Sequence, residues 1–163
     1  MLFRSTAIAA VSAALAGLAT ADFQIYTSSS ITGTPDGEYH SGSGFFFLPG
    51  PPSCDDICHH AIFRISADDV SEGRDGIRCK GCATDGPIEE FEFHDTDSGA
   101  HWTLYKDAYD MISAKDGSIE GHCTPDNGDD FENCSCGLGN AEDGHRLFIC
   151  KSHWTAQQMG SFK

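Results

Sequence analysis

Apolar and polar residues alternate over short stretches through most of this chain, and after residue 21 no helical period persists for ten positions. Pro87-Ile-Glu-Glu-Phe-Glu-Phe-His94 is the cleanest stretch: Glu90, Glu92 and His94 fall on one face, Glu89, Phe91 and Phe93 on the other. One polar and one mostly apolar face suits an antiparallel sheet with a solvated side. Asp95-Thr-Asp-Ser-Gly99 reads as a turn and His101-Trp-Thr-Leu-Tyr105 as the returning strand, which predicts a hairpin. Further strands are predicted over 22–27, with Phe23 and Ile25 on one face, and over 45–48, stopped by Pro49-Gly-Pro-Pro52. Others cover 61–66, 77–80, 109–113, 118–123 and 145–150, with a Lys115-Asp-Gly117 turn between two of them. Ser28 to Gly44 holds five Ser, two Thr and four Gly around Pro35-Asp36-Gly37, so it reads as turn and loop. The polar stretch from Thr124 to Gly144 reads as a second loop, pinned by Cys134 and Cys136, and residues after Trp154 as a loose tail. Cys54 to His60 and Lys106 to Ile112 have room for a helical turn or two. Short strands with frequent turn signals predict an all-β fold, a small antiparallel β-sandwich or barrel with long loops.

The first residues follow a different rule. Arg4 is the single charge before an Ala-rich apolar run from Ser5 to Leu18, and Ala19-Thr20-Ala21 fits a small-x-small cleavage site. The expected organisation is a signal peptide over 1–21 and one domain over 22–163. Of 163 residues, 142 then remain, with nine Lys and Arg against 25 Asp and Glu, a net charge of −16. No later apolar run approaches the ~20 residues of a membrane span. The scattered basic residues form no run, and such a charge argues against long nucleic acid and anionic membrane surfaces as partners.

Eight cysteines, Cys54, Cys58, Cys79, Cys82, Cys123, Cys134, Cys136 and Cys150, follow this leader. An even number in a secreted chain reads as four disulfides, and residue spacing leaves the pairing open. Cys134 and Cys136 would point the same way on a strand, which favours partners elsewhere in the chain. Cys79-Lys-Gly-Cys82 has redox spacing without a helix pattern after it, so a structural bridge is expected.

Candidate chemistry is sparse. A carboxylate beside an imidazole is the minimum for acid–base catalysis, and the Glu90, Glu92, His94 face offers it, with His101 or Tyr105 across the hairpin. Adding His40 and Arg78 gives residue types similar to those of secreted fungal guanyl-specific ribonucleases, which set a Glu, two His and an Arg on a small acidic sheet. The likeness is in residue types and not in motifs. The competing reading is a solvated strand face that keeps the sheet soluble. Calcium could be held by Asp95 and Asp97, or by Asp126, Asp129, Asp130 and Glu132. The first set lacks the Gly and the Glu of an EF-hand loop, since Ala100 and Lys106 stand at those places. Zinc at Cys58-His59-His60 or His122-Cys123 would need free thiolates, which disulfides remove. Nucleophile-elbow, H-E-x-x-H and phosphate-loop motifs are absent from the sequence. No cofactor is expected. Asn133-Cys-Ser135 is formally a glycosylation sequon with a disulfide candidate at its centre.

The Ala-rich leader, Asp22-Phe-Gln-Ile-Tyr26, Pro51-Pro-Ser-Cys-Asp55 and Arg78-Cys-Lys-Gly-Cys82 together resemble the small secreted cysteine-rich proteins of filamentous fungi, many of them effector candidates. The resemblance is one of layout and short motifs across most of the chain. It implies secretion, disulfides and a role at a host or microbial interface, with no shared catalytic residues; on that general pattern Cys58 and Cys136 would be an additional pair. The sequence thus predicts a monomeric extracellular protein that binds another protein or a glycan. A small hydrolase and a calcium-dependent or lectin-like binder are the alternatives.

Overall fold

The structure, a computed structural model, describes residues 21–34, 36–59, 62–65, 67–71, 73–82, 87–137 and 139–159. The predicted leader lies outside them except for Ala21. Among the described residues eleven strands form one sheet: β1 Ala21–Gly33, β2 Tyr39–Leu48, β3 Ile62–Ile65, β4 Gly76–Lys80, β5 Glu90–Asp95, β6 Ala100–Tyr105, β7 Asp110–Ser113, β8 Ile119–Pro125, β9 Phe131–Ser135, β10 Asn140–Gly144 and β11 Arg146–Ser152. Every pairing is antiparallel, in the order β3-β2-β1-β11-β8-β7-β6-β5-β4, with β10 on β1 and β9 on β10. The two ends of that path meet, the Ala67 N–H donating to the Ile77 carbonyl at 2.8 Å just past β3. The sheet therefore curls around one interior, as a barrel and not as two separate layers.

The alternation predicted for β5 sets the inside. Phe91 and Phe93 point inward, as do Phe23 and Ile25 of β1, Phe45 and Phe47 of β2, Ile77 of β4, Trp102 and Leu104 of β6 and Phe148 of β11. Phe93 lies opposite Trp102 in register, with ring centroids 5.3 Å apart. Phe47 meets Phe93 at 5.1 Å and Phe45 meets Phe91 at 5.2 Å, both edge to face. Such geometry adds to the gain from burial alone.

A second apolar cluster lies outside the barrel. Tyr26, Phe46 and Leu48 alternate onto the outer faces of β1 and β2, where Phe131 of β9 and Ile57 of helix α1 (Cys54–His59) cover them. The helix starts at Ser53, whose Oγ accepts from the Asp56 N–H while the Asp56 carboxylate accepts from the Ser53 N–H, each at 3.1 Å. Cys54–Cys134 and Cys58–Cys136 bolt this helix to β9 and the residues after it. Cys123–Cys150 joins β8 to β11 inside the core, and Cys79–Cys82 closes a local loop. All eight cysteines are paired.

Several expectations fail. Ser28 to Gly44 is mostly strand: β1 and β2 run on through it as a hairpin that turns where the Gly37 N–H donates to the Thr34 carbonyl at 2.9 Å. Ser and Thr tolerate a strand that is polar on both faces, and β10 supports it from the side, pairing with Ser29–Thr32. Thr124 to Gly144 contains the β9–β10 hairpin. Gly144 allows its approach to β1, since a Cβ there would sit 2.1 Å from the Thr27 carbonyl oxygen. The tail is not loose through Met159. Ala156–Met159 forms a 3₁₀ turn packed against β1, β2 and β3, with Ala156 and Met159 buried in the core. Residues 106–108 form a turn and no helix.

The α1–β9 bridges span 80 and 78 residues, but once one has formed the other closes only the small ring through the helix. By loop-closure entropy the long loop is worth about 4.5 kcal/mol and the small ring roughly 2 kcal/mol. Replacing either cystine by two alanines should cost about 2 kcal/mol in urea unfolding, and replacing both should cost well over twice that. Equal, additive losses would show that the bridges do not share one loop.

Candidate functional site

The outward face of β4, β5 and β6 carries the predicted polar residues. Register places Arg78 opposite Glu92, Lys80 opposite Glu90, and His101 opposite His94. Arg78 donates to Glu92 Oε2 from Nε at 2.9 Å and from Nη2 at 2.6 Å, and Nη2 also reaches Glu90. Lys80 Nζ donates to the second oxygen of Glu90 at 2.9 Å. His101 Nε2 meets Glu92 Oε1 at 3.0 Å, and its ring stacks on that of His94 with centroids 4.2 Å apart. His94 Nδ1 lies 2.8 Å from the Val70 carbonyl, so that nitrogen carries the proton.

The structure thus brings together Arg78, Glu90, Glu92 and His94, with His101 of the returning strand beside them. His40 is elsewhere, exposed on the β1–β2 hairpin opposite Thr32. Burial works to raise the Glu92 pKa, but hydrogen bonds from His101 and Arg78 outweigh it and hold the carboxyl below its ordinary value. Arg78 is pushed up, first by its hydrogen bond to Glu92. Glu92 is therefore fixed as an anion with both oxygens occupied. Stabilising an anion in this way disfavours proton transfer to it as a general base.

The calcium candidates do not converge. Asp95 is buried and accepts from the Ser98 N–H at 2.9 Å, closing its own turn. Arg146, itself buried, takes two of the others: Nη2 donates to Asp126 at 2.7 Å, and Nη1 pairs with Asp129. The Arg146 hydrogen bond is the main reason the Asp126 carboxyl is held below its ordinary value. Asp97, Asp130 and Glu132 are exposed. Among the described residues no three His, Cys, Asp or Glu side chains group to hold a metal ion.

Two neighbouring hollows carry no signal in the sequence. An open cleft of about 420 Å³ is lined in part by Ser28, Phe131, Glu132, Asp143 and His145, and a smaller one of about 190 Å³ shares Thr27, Ser28 and Cys82 with it. Neither is lined by the Glu92 cluster. The larger forms beside β1 where β10, paired with both β1 and β9, ends at Gly144, and the smaller lies between the β1–β2 hairpin and the Cys79–Cys82 loop, both juxtapositions of segments distant in the chain. His145 is held there by Thr27, whose Oγ1 lies 3.0 Å from its Nδ1. Comparison of the chain with models of known families, with characterised proteins and with solved structures returned no match.

The direction of the Glu92 shift fixes a pH dependence. A folded pKa below the unfolded value near 4.5 gives stability that is complete above that value and lost as pH falls through the folded one. Glu92→Gln should therefore melt lower than the parent at pH 7, and the difference should shrink between about pH 5 and pH 3. A difference constant across that range would show that the carboxylate draws nothing from Arg78 and His101.

Proposed function

We propose that this chain is a secreted, disulfide-stapled binding protein of the effector type, which acts as a monomer on an extracellular protein or glycan and not by turnover. The observation that carries this reading is the state of the acid–base cluster around Glu92. Its carboxylates are covered and occupied by Arg78, Lys80 and His101 on the outer sheet face, outside the two hollows described. Aromatic rings fill the barrel interior, where a substrate would otherwise be enclosed. Four disulfides support passage through an oxidising compartment. The apolar run before Asp22 supports the same route, and no described helix is long and apolar enough to cross a membrane. The likeness to fungal cysteine-rich proteins gives the setting, a host or microbial interface.

A ribonuclease of the guanyl-specific type is the second reading. It is favoured by the grouping of Arg78, Glu90, Glu92, His94 and His101 on one face.

Two measurements test these readings. Expression with the leader in a secretory host should give a mature N-terminus within a few residues of Asp22 and no thiol reactive toward maleimide in the native protein. Purified protein should leave RNA uncut above background between pH 5 and 7. Cleavage abolished by Glu92→Gln or His94→Ala in a still-folded protein would replace the binding reading with the enzymatic one.

A further inference from the structure

The β1–β2 hairpin extends past the part of β2 that β3 covers. β3 pairs with Gly44–Phe47 only, so from Tyr39 to Gly42 the outer edge of β2 has no partner strand among the described residues. Residues 39 to 43 are all exposed, while β10 holds the opposite side of the ribbon through Ser29–Thr32. Edges of this kind commonly carry Lys, Pro or a bulge that turns other chains away. Tyr39-His-Ser-Gly-Ser43 has none of these. In a chain with 25 acidic residues, neither 28–33 nor 39–44 contains an Asp, Glu, Lys or Arg. Two of the exposed large apolar side chains lie here, Tyr39 at 76 % and Ile31 at 49 % exposure. They share one face of the ribbon, since Tyr39 is opposite Gly33 and Ile31 opposite Ser41 in a single alternating set.

We propose that this edge takes up an extended, basic segment of a partner protein as an added strand. The inference rests on the binding reading and gives its partner a chemistry. In strand addition the main chain supplies affinity, and alternate side chains of the guest supply selectivity, here against Tyr39, with Ile31 one strand further in on the same face for a long side chain to reach. Charge selects the occupant. Asp36 and Glu38 stand exposed at the tip of the ribbon, and the formal charge of −15 on the whole chain repels an acidic segment. The same charge opposes a second copy on the edge, whereas a basic segment is drawn in.

The test uses the full secreted protein with its disulfides intact, panned against a random dodecapeptide library displayed on phage. Enriched peptides are then synthesised and added during hydrogen–deuterium exchange. Sequences rich in Lys or Arg and in β-branched residues are expected, with slowed exchange over residues 39–43. Their affinity should fall about tenfold for Ser41→Lys and hold or rise for Ser41→Glu, since both changes are exposed and only the sign of the charge differs. Tyr39→Ser combined with Ile31→Thr should also weaken binding about tenfold, the loss of one or two apolar contacts. An acidic or empty selection, protection elsewhere, or equal effects of the two Ser41 substitutions overturns the inference. So does protection of 39–43 that arises from dimerisation of the protein alone in sedimentation velocity. RNA cleavage would remove the binding reading without altering the exchange result, so the two failures are distinguishable.

Discussion

Trp102 and the phenylalanines packed about it constrain the rest of the molecule. Phe91 stacks on Trp102 at 6.0 Å, Phe93 and Phe47 lean on it at 5.3 and 6.5 Å, and Phe148 closes against Phe91 at 5.8 Å. Rings of that size take up much of the interior of a small barrel. Strand alternation then leaves the polar residues of the same strands no place but the outside. This packing is also why Met159 and Ala156 fold back onto the barrel: an apolar interior of this width would otherwise meet water past β3.

The outside has its own problem, a large excess of carboxylates. Two arginines relieve it locally. Arg78 lies between Glu90 and Glu92, and Arg146 gathers Asp126 and Asp129 into the approach to β9. Exposed pairs are worth little, but Arg146 and Glu92 are well covered, and removing one partner of such a pair leaves a poorly solvated charge behind. The acidic runs are therefore partly structural. Part of their density serves a fold organised around a few covered cations.

Two of the disulfides act where packing is thinnest. The outer cluster of Tyr26, Phe46, Leu48, Ile57 and Phe131 is small, and α1 has only six residues. A helix so short has little stability of its own, so two cystines hold it against β9. The β1–β2 ribbon has no such staple. Its polar faces, and an edge that no described strand covers, leave it available for contact, unlike the barrel.

Much of this was determined by the sequence alone. The period-two alternation of Glu90 to His94 places Phe91 and Phe93 inside and the charged residues outside, because a pleated strand allows nothing else. The same reasoning located β2 at Phe45–Leu48, the β5–β6 hairpin and its turn, and the grouping of Glu90, Glu92 and His94 with His101. What only the tertiary structure decided was anything that depends on a neighbour distant in the chain. Ser28 to Gly33 and Asn140 to Gly144 carry no apolar period, and they become strands because each supplies the other's hydrogen bonds. Asp126 and Asp129 resemble cation ligands until Arg146, on another strand, occupies them. His40 has the right chemistry for the Glu92 cluster, but β2 and β5 are not neighbours on the sheet. Cysteine spacing cannot reveal a partner some 80 residues away, since pairing follows the meeting of α1 with β9 across the outer face, a contact made by packing and not by local pattern.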